Sequence, residues 1–104
     1  MTSRRSLPPR MLEGGRVVCF ARLDSGAQRT AKTLHVLMGG EFPPFRGLVI
    51  MKDQPGGPYY LLYCDEQWTA LTDTWHETLE GAKQQAEFEY EGISQAWEVL
   101  PPET

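Results

Sequence analysis

Apolar residues occur in short runs along the chain, in a pattern typical of strands in an antiparallel sheet. Two runs, RVVCFARL at 16–23 and LVIMK at 48–52, are apolar on both alternating faces. Two more, YYLLYC at 59–64 and WTALTD at 68–73, flank the polar segment DEQ and so predict a hairpin. AWEVL at 96–100 has the composition of a short edge strand. The chain therefore predicts an antiparallel sheet of four or five strands.

Residues 75–91 follow a different spacing, because apolar side chains return every three to four positions and form one helical stripe. Thr74 and Glu77 have the spacing of a capping box at its start, and Thr78 is a second candidate cap. Gly92 is a natural end for the helix. We expect this helix to pack across one face of the sheet. The apolar stripe consists of Trp75, Leu79, Ala82, Ala86, Tyr90 and Ile93.

The segment 26–38 supports two interpretations. Ala27, Ala31, Leu34 and Met38 fall at helical spacing, which favours a second helix. Several β-branched residues in the same segment favour a strand instead. We favour the helix. The expected fold class is α+β, with an antiparallel sheet of four or five strands, one C-terminal helix packed on a face and a candidate second helix near residues 26–38, where the strand interpretation stays open.

Length and composition predict one domain. A chain of 104 residues, 40% of them hydrophobic, can form a single core. Residues 1–14 show no apolar period and are rich in arginine, so we expect a flexible basic arm, a single α+β domain at 15–100 and a tail at 101–104. Cys19 and Cys64 lie in apolar runs, as expected of inert thiols in a reducing compartment. With no signal-type or membrane-length apolar stretch, we expect a cytoplasmic protein without membrane contact.

Charge is distributed unevenly along the chain. Residues 1–35 carry seven basic and two acidic residues, a net +5, whereas residues 36–104 carry three basic and twelve acidic residues, a net −9. Such asymmetry can steer a charged partner. Nucleic acid is an unlikely partner, because the basic arm holds no aromatic residue before Phe20 on which a base could stack.

Asp73, His76 and Glu77 form the densest group of candidate metal ligands or acid–base residues. Together with Asp65 or Glu66 from the hairpin turn, they could hold a divalent metal ion and activate a water molecule, as in a small metal-dependent hydrolase. No HExxH or paired CxxC motif accompanies them. Carboxylates near a helix start also have a structural role, because they stabilise the helix dipole. We therefore expect no catalytic residue, metal or cofactor, and keep the hydrolase as the alternative.

The helix at 75–91 can cover only one face of the predicted sheet. A helix at 26–38 would cover the other face, whereas a strand there would leave an apolar patch exposed. Tyr60 and Leu62 lie on one side of the run 59–64, and Phe88 lies on the polar side of the predicted helix. We expect an interaction surface that uses either the second sheet face, with Tyr60 and Leu62, or the patch around Phe88. The expected function is that of a small non-catalytic protein-interaction module, whose partner is another protein or a second copy in a homodimer.

The stretch YYLLYCDEQW, followed by TDTWHETLEGAKQQAEFEYEG, resembles a pattern found in a group of short uncharacterised bacterial proteins. The resemblance covers about residues 59–92. It implies a hairpin followed by a helix in a bacterial cytoplasmic protein. No activity is assigned to the group, so the resemblance implies no catalytic residues.

Overall fold

The computed structural model describes residues 7–23, 28–29, 36–37, 40–41 and 45–102. The strands are β1 (Met11–Leu12), β2 (Gly15–Arg22), β3 (Gln28–Arg29), β4 (Val36–Leu37), β5 (Gly40–Glu41), β6 (Gly47–Lys52), β7 (Tyr59–Cys64), β8 (Ala70–His76) and β9 (Tyr90–Glu91). The helix α1 spans Leu79–Glu89, and a short 3₁₀ helix spans Ile93–Gln95. Within these described ranges, no helix has the length and hydropathy needed to cross a bilayer.

Five strands form one antiparallel sheet in the order β1-β2-β6-β7-β8. Two short pairs, β3 with β9 and β4 with β5, lie outside it. The helix α1 contacts β6, β7 and β8 of the main sheet. The fold class predicted from the sequence, an α+β arrangement of an antiparallel sheet and a C-terminal helix, is therefore confirmed.

The hairpin predicted between β7 and β8 forms around Asp65. Its carboxylate accepts hydrogen bonds from the backbone N–H groups of Gln67 and Thr69, both at 2.9 Å, as in an Asx-turn. Trp68 adopts a positive φ of 64° in this turn. Its indole is buried and packs edge-on against Phe20 at a centroid distance of 5.6 Å. A Cβ on Gly47 would lie 2.3 Å from the Trp68 ring, so glycine is required at that position.

The sheet buries apolar side chains on both faces. The helix-side core contains residues such as Cys19, Leu61 and Tyr63 from the strands and Ala82 and Ala86 from α1. The second core lies on the opposite face of the sheet and includes Trp68. Its buried members are Val17, Phe20, Val49, Met51, Leu62, Cys64 and Trp68. The second face is therefore filled within the chain.

The helix starts later than the sequence predicts. Strand β8 continues to His76, because Thr74, Trp75 and His76 pair with β7. The cap is Thr78, whose Oγ1 accepts a hydrogen bond from the Gly81 N–H at 3.0 Å. The capping box at Thr74 is therefore wrong, and Trp75 belongs to a strand instead of the helical stripe. Local spacing suggested a helix here, but pairing with β7 stabilises the extended conformation.

The second helix predicted near residues 26–38 is wrong at the described positions of that segment. Gln28–Arg29 forms β3 and Val36–Leu37 forms β4, and the other residues of 26–38 lie outside the described ranges. β3 pairs with β9, directly after α1. A partner some sixty residues away along the chain leaves no mark in local apolar spacing, which explains the failure.

Both ends of the described chain join the outer edge of β2. Met11 and Leu12, which we predicted within a flexible arm, form β1, and the Val17 N–H donates to the Arg10 carbonyl at 2.9 Å. The sheet therefore begins before residue 15. Farther along β2, Phe20 and Glu98 exchange two backbone hydrogen bonds of 2.9 and 2.8 Å. The edge strand predicted at 96–100 is thus present as a single bridge.

Candidate functional site

The structure does not bring Asp73, His76 and Glu77 together. Asp73 pairs with Leu62 on the face of the second core, whereas His76 pairs with Tyr59 on the helix side. Glu77 is exposed in the connection to α1. In the part of the chain that the structure describes, no three His, Cys, Asp or Glu side chains lie close enough to hold a metal ion. The ligand set of the hydrolase alternative is therefore not assembled.

His76 has a local structural partner. Its Nε2 lies 2.8 Å from the Thr74 Oγ1, two residues earlier on the same side of β8. Partial burial lowers the pKa of His76 below its ordinary value of 6.5, and the negative charge of Glu89 acts in the opposite direction. The histidine is thus a hydrogen-bonded residue at the border of the helix-side core.

A buried polar cluster lies between α1 and the sheet. The carboxylate of Glu89 is 1% exposed and accepts hydrogen bonds from the Tyr63 hydroxyl and from the Gln85 Nε2, the latter at 2.5 Å. Burial, followed by the hydrogen bond to Glu89, raises the pKa of Tyr63 far above its ordinary value of 10.0. The tyrosine therefore stays protonated and donates to the carboxylate.

Sequence reasoning missed Glu89. A weak signal was present, because Ala82, Ala86 and Glu89 follow one another at spacings of four and three and so approach one side of the helix. Tyr63 is completely buried, and solvent does not reach either member of the pair. This cluster therefore holds the helix in position on the sheet and offers no access to a substrate.

Both cysteines are buried free thiols, as predicted. Burial raises the pKa of Cys19 to about 11 and that of Cys64 to about 12, so neither forms the reactive thiolate at neutral pH. Cys64 belongs to the second core, on the face opposite His76. The two residues cannot act as a nucleophile and its base.

The residues of the two alternative interaction surfaces, Tyr60 and Leu62 on one and Phe88 on the other, have different environments. Leu62 is 0% exposed, so the expectation that it contributes to a surface is wrong; it fills the second core. Tyr60 is half-buried at the margin of that core. Phe88 is 47% exposed on α1, on the other side of the sheet. Tyr60 and Phe88 thus stay partly accessible, each on its own side of the sheet.

The missed aromatic residue is Trp75. It pairs with Tyr60 across β7 and β8 and is 55% exposed. Asp73 precedes it by two positions and is exposed on the same face of the strand. We define the β8 surface as Tyr60, Asp73, Trp75 and the outer edge of β8. The sequence pattern assigned Trp75 to the buried stripe of a helix, so it did not predict this surface.

β8 is also the last strand of the main sheet. Among the described residues it pairs only with β7, and its other edge presents backbone N–H and C=O groups. An edge of this kind can accept a strand from another molecule. An exposed tryptophan beside it can supply apolar contact area to the same partner.

Comparisons with protein-family models, with curated proteins and with solved structures found no match. The resemblance of residues 59–92 to short bacterial proteins therefore stays an expectation.

Proposed function

We propose that this chain is a non-catalytic protein-interaction module that binds its partner through the β8 surface. The observation that carries the proposal is Trp75, a large apolar side chain that is 55% exposed on an edge strand. Exposed tryptophan is unfavourable in water, and tryptophan and tyrosine are enriched where proteins bind one another. Tyr60, directly across the strand pair, extends the apolar contact area.

The chemistry of the β8 surface suggests the kind of partner. Backbone groups at the edge of β8 favour an extended strand, which would continue the sheet by one member. Asp73 adds a negative charge on the face that carries Trp75, so a basic side chain is the favourable neighbour. A second copy of the chain can also supply the strand by pairing with β8 about a two-fold axis. The partner is thus a second copy or another protein with a free strand.

The setting that we propose is the bacterial cytoplasm. Two buried free cysteines support a reducing compartment. The bacterial source is supported by the resemblance of residues 59–92 to short bacterial proteins.

Sedimentation equilibrium at tens of micromolar tests the proposal, using Trp75→Thr because threonine retains the strand propensity of the position. Phe88→Ser is the matched control, since it removes an exposed aromatic side chain from the opposite side of the molecule. We expect the wild type and Phe88→Ser to form a dimer that Trp75→Thr weakens at least about tenfold. A heterologous partner would instead leave the wild type monomeric, and Trp75→Thr would then lose that partner in affinity capture from cell extract. Equal mass and equal capture for the wild type and Trp75→Thr would overturn the proposal.

A further inference from the structure

A cleft of about 570 Å³ lies along the outer edge of β2, between β1 and the C-terminal segment. Small-molecule sites typically have volumes of about 300–1,000 Å³. The register of β2 shifts between Val17 and Cys19, so Val18 forms a bulge at the cleft. Bulges are frequent beside functional sites, because they redirect side chains. The cleft is lined by Arg10, Met11, Arg16, Val17, Val18, Lys52, Val99 and Leu100.

The cleft is positively charged although the chain as a whole carries a net charge of −4. Arg16 and Lys52 stand directly opposite each other in the register of β2 and β6. Like charges at such a position destabilise a sheet. Neither residue forms an ion pair within the described part of the chain, whereas Arg22, on the same strand, pairs with Glu98 at 2.6 Å. An anion bound between Arg16 and Lys52 would offset this repulsion.

The third cation is held in place by the backbone. The Arg10 guanidinium donates a hydrogen bond to the Pro101 carbonyl oxygen. This bond links the residue before β1 to the C-terminal segment beside the cleft. Lys52 is oriented by the Tyr59 ring, whose centroid lies 5.1 Å from the ammonium nitrogen. Arg10 and Lys52 are thus positioned before any ligand arrives.

The walls of the cleft are apolar. Met11 pairs with Arg16 across β1 and β2 and is 60% exposed, and Val99 is 75% exposed. Within the described ranges, five large hydrophobic side chains are exposed, and these two lie in the same cleft. Exposed apolar groups that gather around cations fit a ligand with both an anionic head and an apolar body.

We propose that this cleft binds a small amphiphilic anion, with a carboxylate or phosphate group between Arg16 and Lys52 and its apolar chain against Met11 and Val99. Charge-assisted hydrogen bonds from the two cations would hold the head group. This site lies on the edge of the sheet formed by β1 and β2, whereas the β8 surface lies at the other edge. The two proposals therefore stand or fall separately.

Two-dimensional NMR of the amide groups tests the site with octanoate and octyl phosphate as probes. Octanol and acetate are the controls that carry only the tail or only the head group. We expect saturable shift changes at Val17, Val18, Val99 and Leu100 with both anionic probes, weaker changes with the controls, and an affinity that falls as sodium chloride is added. The tighter of the two probes identifies the preferred head group. Equal binding of octanol and octanoate, or unchanged amide shifts at millimolar probe, would overturn the proposal.

Variants separate ligand binding from folding. Arg16→Gln and Lys52→Gln should each weaken octanoate binding about tenfold or more, because each removes a charge-assisted contact. Without ligand, both should melt at or above the wild-type temperature, since they relieve the repulsion between the two cations. Arg46→Gln, at an exposed arginine near the other end of β6, is the matched control and should leave octanoate binding unchanged. Unchanged octanoate affinity in Arg16→Gln and Lys52→Gln would refute the assignment.

Discussion

The hydroxyl group of Tyr63 donates a hydrogen bond to the carboxylate of Glu89 in the interior between β7 and α1. Both side chains are shielded from water, and Gln85 donates to the same carboxylate oxygen. A buried carboxylate is stable only where donors replace its lost hydration. The Tyr63 ring also packs against the tilted ring of Phe45 at a centroid distance of 5.2 Å, so it is held by packing as well as by its hydroxyl group. This relationship fixes where the helix sits on the sheet.

Replacing Tyr63 by phenylalanine removes that donor while retaining the ring. We expect the free energy of unfolding to fall by about 1–3 kcal/mol, because Glu89 keeps its burial and loses one of its donors. Chemical denaturation followed by tryptophan fluorescence measures the change. Tyr59→Phe is the matched control, since Tyr59 lies on the same face of β7 and its hydroxyl makes no hydrogen bond within the described residues. Equal stabilities of the two variants would show that the Tyr63 hydroxyl contributes nothing.

The same tyrosine predicts how stability depends on alkaline pH. The pKa of Tyr63 is raised in the folded state by burial and by Glu89, whereas the unfolded chain titrates near the ordinary value of 10.0. A group with a raised folded pKa stabilises the fold fully below its unfolded pKa and loses that contribution as the pH rises. Stability should therefore decline above about pH 10. In Tyr63→Phe this decline should be smaller, as urea denaturation at pH 8 to 11 would reveal; parallel declines in both proteins would contradict it.

The strands of the main sheet could be predicted because their information is local. Three runs have apolar side chains on both alternating faces, and each forms a largely buried strand: 16–23, 48–52 and 59–64. The β7–β8 hairpin was predictable as well, because Asp65 can bond to its own turn. In these segments, local preference and tertiary packing agree.

The rest depended on partners that are distant along the chain. Trp75 fits a helical stripe by spacing, but pairing with Tyr60 places it in an exposed position on a strand. From the sequence alone, Glu89 resembles a surface residue, because nothing local shows that Tyr63 lies against it. The two cations of the cleft, Arg16 and Lys52, likewise come together only because β2 and β6 place them opposite each other. Such contacts leave no periodic signal in a single sequence.

The start of α1 provides a test between two neighbouring threonines. Thr78→Ala should lower the free energy of unfolding by about 0.5–2 kcal/mol, because its Oγ1 is the acceptor for the Gly81 N–H. Thr74→Ala is the comparison variant. Thr74 lies in β8 and its hydroxyl group bonds to His76, so this change leaves the helix cap intact. Thr78→Ser should restore most of the lost stability by retaining the hydroxyl group. If Thr78→Ser is as unstable as Thr78→Ala, the loss has another cause.

The segment around β1 should contribute to stability, contrary to the behaviour of a flexible arm. Leu12 packs against the second core, and the Arg10 carbonyl accepts the Val17 N–H. Deleting residues 1–14 should therefore cost about 2 kcal/mol or more from lost apolar burial and hydrogen bonds. Deleting residues 1–6 is the matched control, because it leaves each of these contacts intact. Thermal melts of the two truncated proteins measure the difference. Equal melting temperatures would show that residues 7–14 behave as a flexible arm.

The end of α1 is held by a carboxylate that bridges to the following turn. One oxygen of Glu87 accepts the Gly92 N–H at 2.9 Å and the other accepts the Ser94 N–H at 3.0 Å. Gly92 has a φ of 91°, which a residue with a side chain adopts only under strain, so the turn depends on glycine as well as on Glu87. These two backbone hydrogen bonds lower the pKa of Glu87 below its ordinary value of 4.5.

A lowered folded pKa sets the direction of the acid dependence. The ionised form of Glu87 stabilises the fold above the unfolded pKa, and the contribution disappears as the pH falls through the lower, folded pKa. Glu87→Gln retains one carbonyl acceptor and loses the charge, so it should be less stable than the wild type at pH 7. Because the carboxylate of the wild type becomes protonated in acid, the difference should shrink between pH 5 and pH 3. Glu91→Gln, at an exposed glutamate beyond the helix, is the control in the same series of denaturation curves. A stability difference between the wild type and Glu87→Gln that stays constant across this pH range would show that the carboxylate's charge is not what holds the turn.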